Sequence, residues 1–357
     1  MVIPESPDNG PPLRLSAMSE EQWTTRRLRA FVSGFLNRHG VDSHQFCTDL
    51  LMAHALGVPR MSLYTDADRP ATDSELKTLR ELVARAAKHE PVQYLVGRWG
   101  FFGHELEVNS STLIPRPATE ALVAEAIRLF AQEPRLRLLD IGTGTGCIAI
   151  SILRARRDAA RGRKPLAWTA TSAAGDAVAA PSPAVAPHFR AVATDISPAA
   201  LELAQRNAHA AGVAEAIDFR GGDLFAPLDL QGDEPFDLIC ANPPYISDCA
   251  FAELAPNVRE WEPSGALRGG PDGLRVIEPL IRQAPRWLKP GGWLLVEIGF
   301  DQREAVLEIA STTPGLSECD VLRDDEGHWR VLRSRCVAQA GAVGDNALRT
   351  SSSSAVA

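Results

Sequence analysis

Asn242-Pro243-Pro244-Tyr245 is the segment of this chain whose residue types and order best suit chemistry. It follows the apolar run Phe236-Asp237-Leu238-Ile239-Cys240-Ala241, which reads as a buried strand. The segment therefore stands at the carboxyl end of a sheet, where open α/β folds bind their ligands. The Asn242 side-chain oxygen and the Pro243 main-chain carbonyl are two acceptors that can be set against the N–H groups of a planar nitrogen. In an amide or arylamine that nitrogen is a poor nucleophile, because its lone pair is delocalised. Fixed acceptors stabilise the positive charge that builds on it as it takes a methyl group from a sulfonium centre. Consecutive prolines stiffen the loop, and Tyr245 offers a flat face to a planar group. In-line positioning supplies much of the remaining acceleration, and no general base is needed before attack. Asn242, Pro243 and Tyr245 are the candidate catalytic residues; Asn242, Pro243, Pro244 and Tyr245 together are the candidate substrate-binding segment.

Three further segments are placed to hold the methyl donor. Gly142-Thr143-Gly144-Thr145-Gly146 follows Asp140-Ile141 where a strand turns into a helix, and glycines there let backbone N–H groups approach a ligand. Asp195 ends the next strand, where a carboxylate can accept from both ribose hydroxyls. It lies well beyond the roughly 20 residues usual after such a loop, and a low-complexity stretch inside the interval accounts for the excess. Gly222-Asp223-Leu224-Phe225 follows the third strand; Asp223 can accept from an exocyclic amine while Leu224 packs on an adenine ring. Taken singly, each segment has a plainer reading as a structural turn or a helix cap, and dinucleotide enzymes use glycine turns too. In register with Asn242, they occur in the order that one bound S-adenosylmethionine requires.

The elements that must position these residues are legible in the periodicity. From about residue 113 the pattern alternates strand and helix, which implies a parallel sheet covered on both faces. Strands are expected over Leu136–Ile141, Phe189–Ile196, Ala216–Phe219, Phe236–Ala241, Trp293–Ile298 and His328–Leu332. Helices are expected from Cys147 to about Ala155 and from Pro198, capped by Ser197, to just before Gly212. Ahead of them, Leu28, Phe31, Val32, Phe35 and Leu36 recur at helical spacing with Gly40 as a stop. A second helix ends near Gly57, and a third is capped at Thr72 or Asp73. The division that follows is a polar, proline-rich segment over 1–20, a helical substrate-recognition domain over 21–92 and a β-hairpin linker over 93–112. An α/β domain then spans 113–335 with a low-complexity insertion at about 155–188, before a disordered tail over 336–357.

Bulk composition narrows the function classes. The 357 residues are 45% hydrophobic and 23% charged, an ordinary globular balance with length enough for two domains. No run approaches the roughly 18 apolar residues of a membrane span. The first residues, Met1-Val2-Ile3-Pro4-Glu5, resemble neither a secretory nor a transit signal, so the expected location is cytoplasmic. Formal net charge is −8 without a block of basic residues, which argues against a duplex nucleic acid held through its phosphates. Six cysteines form no Cys-x-x-Cys pair, and the eight histidines supply no metal-ligand spacing, so reduced thiols and no metal are expected.

The chain resembles the release factor glutamine methyltransferase family. The resemblance rests on Pro91-Val92-Gln93-Tyr94-Leu95, Leu113-Ile114-Pro115-Arg116-Pro117, Asp140 through Gly146, Asp195-Ile196-Ser197-Pro198 and Asn242 through Ile246. Val258-Arg259-Glu260 with Glu262-Pro263, Gly269-Gly270-Pro271-Asp272-Gly273-Leu274 and Leu288-Lys289-Pro290-Gly291-Gly292-Trp293 extend it from about residue 25 to 332. It implies a Rossmann-like class I methyltransferase sheet behind a small N-terminal helical bundle. It also implies S-adenosyl-L-methionine held by Gly142, Thr143, Gly144, Thr145, Gly146, Asp195, Asp223, Leu224 and Asn242. Residues 242–245, with Arg116 nearby, are implied to hold the target, a glutamine in the Gly-Gly-Gln loop of a peptide chain release factor. Two departures stand out: Ala118 where the family usually has Glu, and the insertion. Competing substrates are a glutamine on a large-subunit ribosomal protein and an adenine amino group in nucleic acid. A non-catalytic protein-binding module on the same fold is a third class.

Overall fold

The computed structural model describes residues 23–160 and 188–337, which form two compact units. The first comprises residues 23–98 together with Ala255–Trp261; the second comprises 99–254 and 262–337. A linear division does not anticipate that return of Ala255–Trp261 to the first unit.

The first unit is built on the helices Thr25–Arg38, His44–Leu56 and Asp73–Ala86. Leu28, Val32, Leu36, Leu51, Met52, Leu79 and Val83 are wholly buried in its core, and their spacings of three and four set the three helix faces. Thr72 accepts from the Glu75 N–H while the Glu75 carboxylate accepts from the Thr72 N–H at 2.8 Å, a reciprocal cap that starts the third helix. Val92–Val96, assigned from sequence largely to the hairpin, is instead a helical turn closed by Gly97. Val92 and Leu95 are buried three residues apart in the bundle core, a short run that periodicity alone cannot assign. The hairpin itself is shorter than expected, with β1 at Arg98–Phe101 and β2 at His104–Glu107.

The second unit contains β3 (Arg135–Ile141), β4 (His188–Asp195), β5 (Ile217–Gly221), β6 (Phe236–Ala241), β7 (Ile246–Ser247), β8 (Arg268–Gly270), β9 (Leu288–Glu297), β10 (Leu316–Arg323) and β11 (Trp329–Cys336). Seven of these strands form one sheet in the order β10-β11-β9-β6-β3-β4-β5. Neighbours from β5 to β9 are parallel, and β11 is antiparallel to both β9 and β10. Successive strand residues go to opposite cores. Leu139, Val192, Ile239 and Val296 pack with Ile277, Leu280 and Val306 on one face, while Leu138, Ala193, Leu238 and Leu295 pack with Leu122, Ile150 and Ala208 on the other. Burial on both faces is why these strands read as continuous apolar runs. The sheet is therefore the Rossmann-like, doubly covered one expected.

β4 lies on one side of β3 and β6 on the other, so strand order reverses at the carboxyl ends of β3 and β6. Register pairs Ile141 with Ala241 and with Thr194, which releases Gly142, Asp195 and Asn242 from the sheet side by side at that switch point.

The helix from Cys147 continues to Ala160, past the expected stop at Ala155. Arg156 explains the difference: it is buried, donates to the Ala131 carbonyl at 2.6 Å and lies over the Phe189 ring at 4.7 Å. An arginine stem used as core filling looks, in sequence, like part of a polar stretch. The rest of the expected insertion, residues 161–187, and the segments 1–22 and 338–357 lie outside the described residues. Among the described residues no helix is long and apolar enough to cross a membrane.

Candidate active site

The glycine loop after β3 is shaped from below by Asp140. This side chain is wholly buried; its Oδ2 accepts from the Thr143 hydroxyl at 2.6 Å and from the Ala149 N–H at 3.3 Å. Burial raises its pKa to about 6, against the hydrogen bonds that favour the carboxylate. Asp140 thus ties the loop to the helix that follows, and it does not face the crevice. Thr143 and Thr145 are buried as well, whereas Gly142 is exposed and a Cβ built there would meet nothing within 4 Å. The space above Gly142 is open for a ligand. Gly146 serves a different need: a Cβ there would sit 2.7 Å from Ile150 Cδ1 and 3.4 Å from Ala204 Cβ, where two helices close against the loop.

Asp195 stands half-buried at the end of β4. Its Oδ2 accepts from the Gly144 N–H and its Oδ1 from the Ser197 N–H, both at 2.9 Å. Burial pushes its pKa up, and those backbone donors pull it back. Each oxygen keeps a lone pair for a hydroxyl donor. The next residue, Ile196, is 73% exposed, an apolar surface beside that carboxylate. The Gly222 N–H is bound by the Asp195 carbonyl at 3.0 Å, which brings the exposed Asp223 and the half-buried Leu224 to the same edge. An open glycine cradle, a fixed carboxylate and an apolar neighbour suit a ribose-bearing adenosyl group.

The Asn242–Tyr245 loop is held by groups that motif reading missed. Asn242 Nδ2 donates to Thr119 Oγ1 at 3.0 Å, so the Asn242 oxygen is the end left for a ligand. Tyr245 donates its hydroxyl to Glu297 Oε1 at 3.3 Å. Glu297 is wholly buried, and burial raises its pKa; the Thr119 hydroxyl, Arg330, Tyr245 and Arg116 all favour its ionised form. Burial, and then the Glu297 charge, raise the pKa of the Tyr245 phenol. The main chain is clamped too: Gln302 Nε2 donates to the Tyr245 carbonyl at 3.0 Å, and its Oε1 accepts from the Gly299 N–H at 2.8 Å. Gly273 lies against both the Tyr245 carbonyl and the Gln302 amide so closely that a Cβ there has no room. Pro243 is buried, and Pro244 and Tyr245 are half-buried.

One signal for Glu297 was available in the sequence. It is an acid ending an apolar strand, as Asp195 is, in Trp293-Leu294-Leu295-Val296-Glu297. Arg116 is paired with Glu262 at 2.5 Å, and the second Glu262 oxygen accepts from the Ile114 N–H at 3.1 Å. The guanidinium thereby anchors the 262–263 segment with about a third of its side chain exposed.

The chain is similar in sequence to proteins already known. Residues 27–97 match the family model of the PrmC N-terminal domain, and residues 116–250 that of an RMKL-like methyltransferase domain. The release factor glutamine methyltransferase of Geobacter sulfurreducens is 39% identical over 315 residues, covering 88% of this chain and 98% of its own. Its counterpart in Rhodopirellula baltica is 33% identical, covering 88% and 97%. The protein of that name in Cereibacter sphaeroides is 37% identical, covering 84% and 94%.

Proposed function

This chain belongs to the release factor glutamine methyltransferase family, and from that premise we propose that it methylates the side-chain amide nitrogen of the glutamine in a release factor's Gly-Gly-Gln loop. The observation that supports this best is the orientation of Asn242, whose amide nitrogen is bound to Thr119 and whose oxygen is left for a substrate N–H. S-Adenosyl-L-methionine supplies an electrophilic methyl group on a sulfonium sulfur. Gly142, Gly144 and Asp195 would hold its amino-acid and ribose parts, with Ile196, Asp223 and Leu224 beside the adenine.

Asn242 Oδ1 and the Pro243 carbonyl accept from the two N–H groups of the target amide and turn its lone pair toward the methyl carbon. As the N–C bond forms and the C–S bond breaks, charge moves onto that nitrogen, where both acceptors stabilise it. One N–H proton then leaves to solvent, giving a neutral N-methyl amide. Tyr245, held by Glu297 below and Gln302 behind, gives the planar amide a fixed surface. Arg116 borders the substrate side through its exposed edge. A release factor substrate places the enzyme with the translation machinery in the cytoplasm.

The test is methyl transfer from labelled S-adenosyl-L-methionine to purified release factor, beside a Gln→Ala version of its Gly-Gly-Gln loop. Label on the first alone supports the proposal. Label on neither, with cofactor bound, overturns the substrate assignment and turns attention to ribosomal protein and nucleic acid.

A further inference from the structure

We propose that Gln302 is a positioning residue for methyl transfer: its carboxamide holds the far end of the Asn242–Tyr245 loop, and so sets where the Pro243 carbonyl and the Tyr245 ring stand. The proposal rests on the methyl-transfer reading above. Gln302 follows β9 in Gly299-Phe300-Asp301-Gln302 and is the cap position of the helix Arg303–Ser311. Helix stability favours Ser, Thr, Asp or Asn there, where a short side chain accepts from the first turn. Gln302 makes no such bond. Its side chain turns inward instead, and the residue is 8% exposed, a burial uncommon for glutamine.

Three hydrogen bonds from that carboxamide join three segments. Oε1 accepts from the Gly299 N–H at 2.8 Å, while Nε2 donates to the Tyr245 carbonyl at 3.0 Å and to the Asp272 carbonyl at 3.4 Å. The partners dictate the group: one is a donor and two are acceptors, so an acceptor atom and a donor atom must share one fork. A carboxamide has both. A carboxylate of the same shape keeps the Gly299 bond but sets a charge against two carbonyl oxygens, and a thioether answers neither carbonyl. The helix draws nothing from this side chain, whereas the loop draws its main-chain support.

That support matters because the loop depends on its two ends. It leaves β6 after Ala241, which pairs with Ile141 and Val296. Pro243 and Pro244 have no N–H with which to tie the loop to its surroundings. The next peptide, between Tyr245 and Ile246, is held at both polar atoms: its carbonyl by Gln302, and its N–H by the Leu267 carbonyl at 2.9 Å. With φ fixed at both prolines, a shift of that peptide is carried back to the Pro243 carbonyl, one of the two acceptors assigned to the reacting nitrogen. The bond from Tyr245 to Glu297 holds the phenol and not the main chain. Gly273 packs against the fork and has no Cβ to displace it.

The test compares wild type with Gln302→Glu and Gln302→Met. At about pH 7.5 both variants are expected to lose about 10²-fold in kcat, the scale of a misplaced reacting group. KM for release factor and affinity for S-adenosylhomocysteine should stay within about twofold, because Gln302 is assigned to neither ligand. Lowering the pH separates a missing donor from a damaged fold. The protonated carboxyl of Gln302→Glu regains a donor for the Tyr245 carbonyl, and burial beside two carbonyl oxygens raises its pKa above the usual value of about 4.3. At about pH 5.5 its rate relative to wild type should recover about tenfold, the effect of one hydrogen bond to a buried carbonyl, and Gln302→Met should not recover. The titratable groups on the segments that meet here are Tyr245 with Glu297, Asp272, Arg275, Asp301 and Arg303; all three enzymes share them, so the ratio to wild type cancels their titration. A Gln302→Glu enzyme with wild-type kcat at about pH 7.5, or one that stays as slow at about pH 5.5, overturns the proposal. Should Gln302→Glu fail to fold, Gln302→Met decides: a fall in kcat at unchanged S-adenosylhomocysteine affinity supports the proposal, and wild-type kcat overturns it.

A readout without substrate separates this proposal from the substrate assignment. Amide hydrogen exchange at Ile246, followed by NMR, should quicken about tenfold in Gln302→Glu at about pH 7.5, while the Gly299 amide, whose acceptor remains, keeps its wild-type protection. If wild type methylates no release factor, the substrate assignment falls and these two amides still decide how the loop is held. Faster exchange at Ile246 alone supports Gln302 as its anchor; an unchanged Ile246, or equal loosening of both amides, overturns it.

Discussion

At the scale of single residues, the proposed mechanism gives the half-buried groups at the strand ends to the ligands and leaves the fully buried ones to set the geometry. Asn242→Ala removes an acceptor and the bond to Thr119 but little core volume. It should lower kcat about 10²- to 10³-fold, as loss of one transition-state hydrogen bond does, with a nearly unchanged melting temperature. Wild-type turnover in a methyl-transfer assay would refute the assigned role. Asp195→Ala should act on binding instead, weakening S-adenosylhomocysteine in calorimetry; unchanged affinity would remove Asp195 from the ribose site. Asp140 yields a pH prediction of unusual sign. Its pKa is raised from 3.8 to about 6 in the folded state, so between those values the native state holds more protons than the unfolded one. Its contribution to stability is fully present below pH 3.8 and is lost as pH rises through about 6. The change is on the order of 3 kcal/mol at about 1.4 kcal/mol per pH unit. Urea unfolding from pH 4 to 7 should show this fall in wild type and a flatter profile in Asp140→Asn. Equal profiles would mean that Asp140 does not titrate in this way.

At the scale of elements, the loops at the carboxyl edge work because neighbouring segments leave them no alternative conformation. Gly273 is the sharpest case, with φ +78° and no room for a Cβ against the Tyr245 carbonyl and the Gln302 amide. Gly273→Ala should cost about 1–3 kcal/mol in denaturant unfolding and reduce kcat, through strain and displacement of the clamp. Gly100, in β1, is the control: a Cβ there meets nothing within 4 Å, and alanine should be neutral or stabilising by up to about 1 kcal/mol. Equal effects at the two sites would show that the close approach is unimportant. Gly273 lay in a motif that the sequence offered, but its partners Tyr245 and Gln302 are far from it along the chain, so the clamp was not legible. Legibility followed the strength of the local pattern. Phe236–Ala241 was read to the residue because both its faces are apolar and it is bounded by turn signals. Leu316–Arg323 was missed because it is an edge strand with exposed acids at Glu318 and Asp320 and a bulge between Ser317 and Asp320 that breaks its alternation. Thr119 and Glu297 were missed for another reason: they meet Asn242 and Tyr245 from elements far away along the chain, a helix in one case and a strand in the other.

At the scale of the whole molecule, the assigned cofactor and substrate residues lie in the second unit, and they occur on both sides of residues 161–187. That arrangement explains why a sequence interval much longer than usual between the glycine loop and Asp195 did not obscure the reading. β3 and β4 are parallel neighbours, so Asp195 is fixed beside Gly144 by strand register whatever chain length separates them. A deletion must respect the helix Cys147–Ala160, because Arg156 caps the Ala131 carbonyl and packs on Phe189; a cut starting at residue 156 would remove core contacts along with the insertion. Replacing residues 162–186 with a short glycine–serine linker keeps both elements whole. The closure entropy of a connection between two fixed elements changes only slowly with its length, by about 0.6 kcal/mol per doubling. Affinity for S-adenosylhomocysteine should therefore stay within about twofold and the methyl-transfer rate close to wild type. A tenfold weaker affinity in a variant that melts normally would instead place residues 162–186 in the binding site itself.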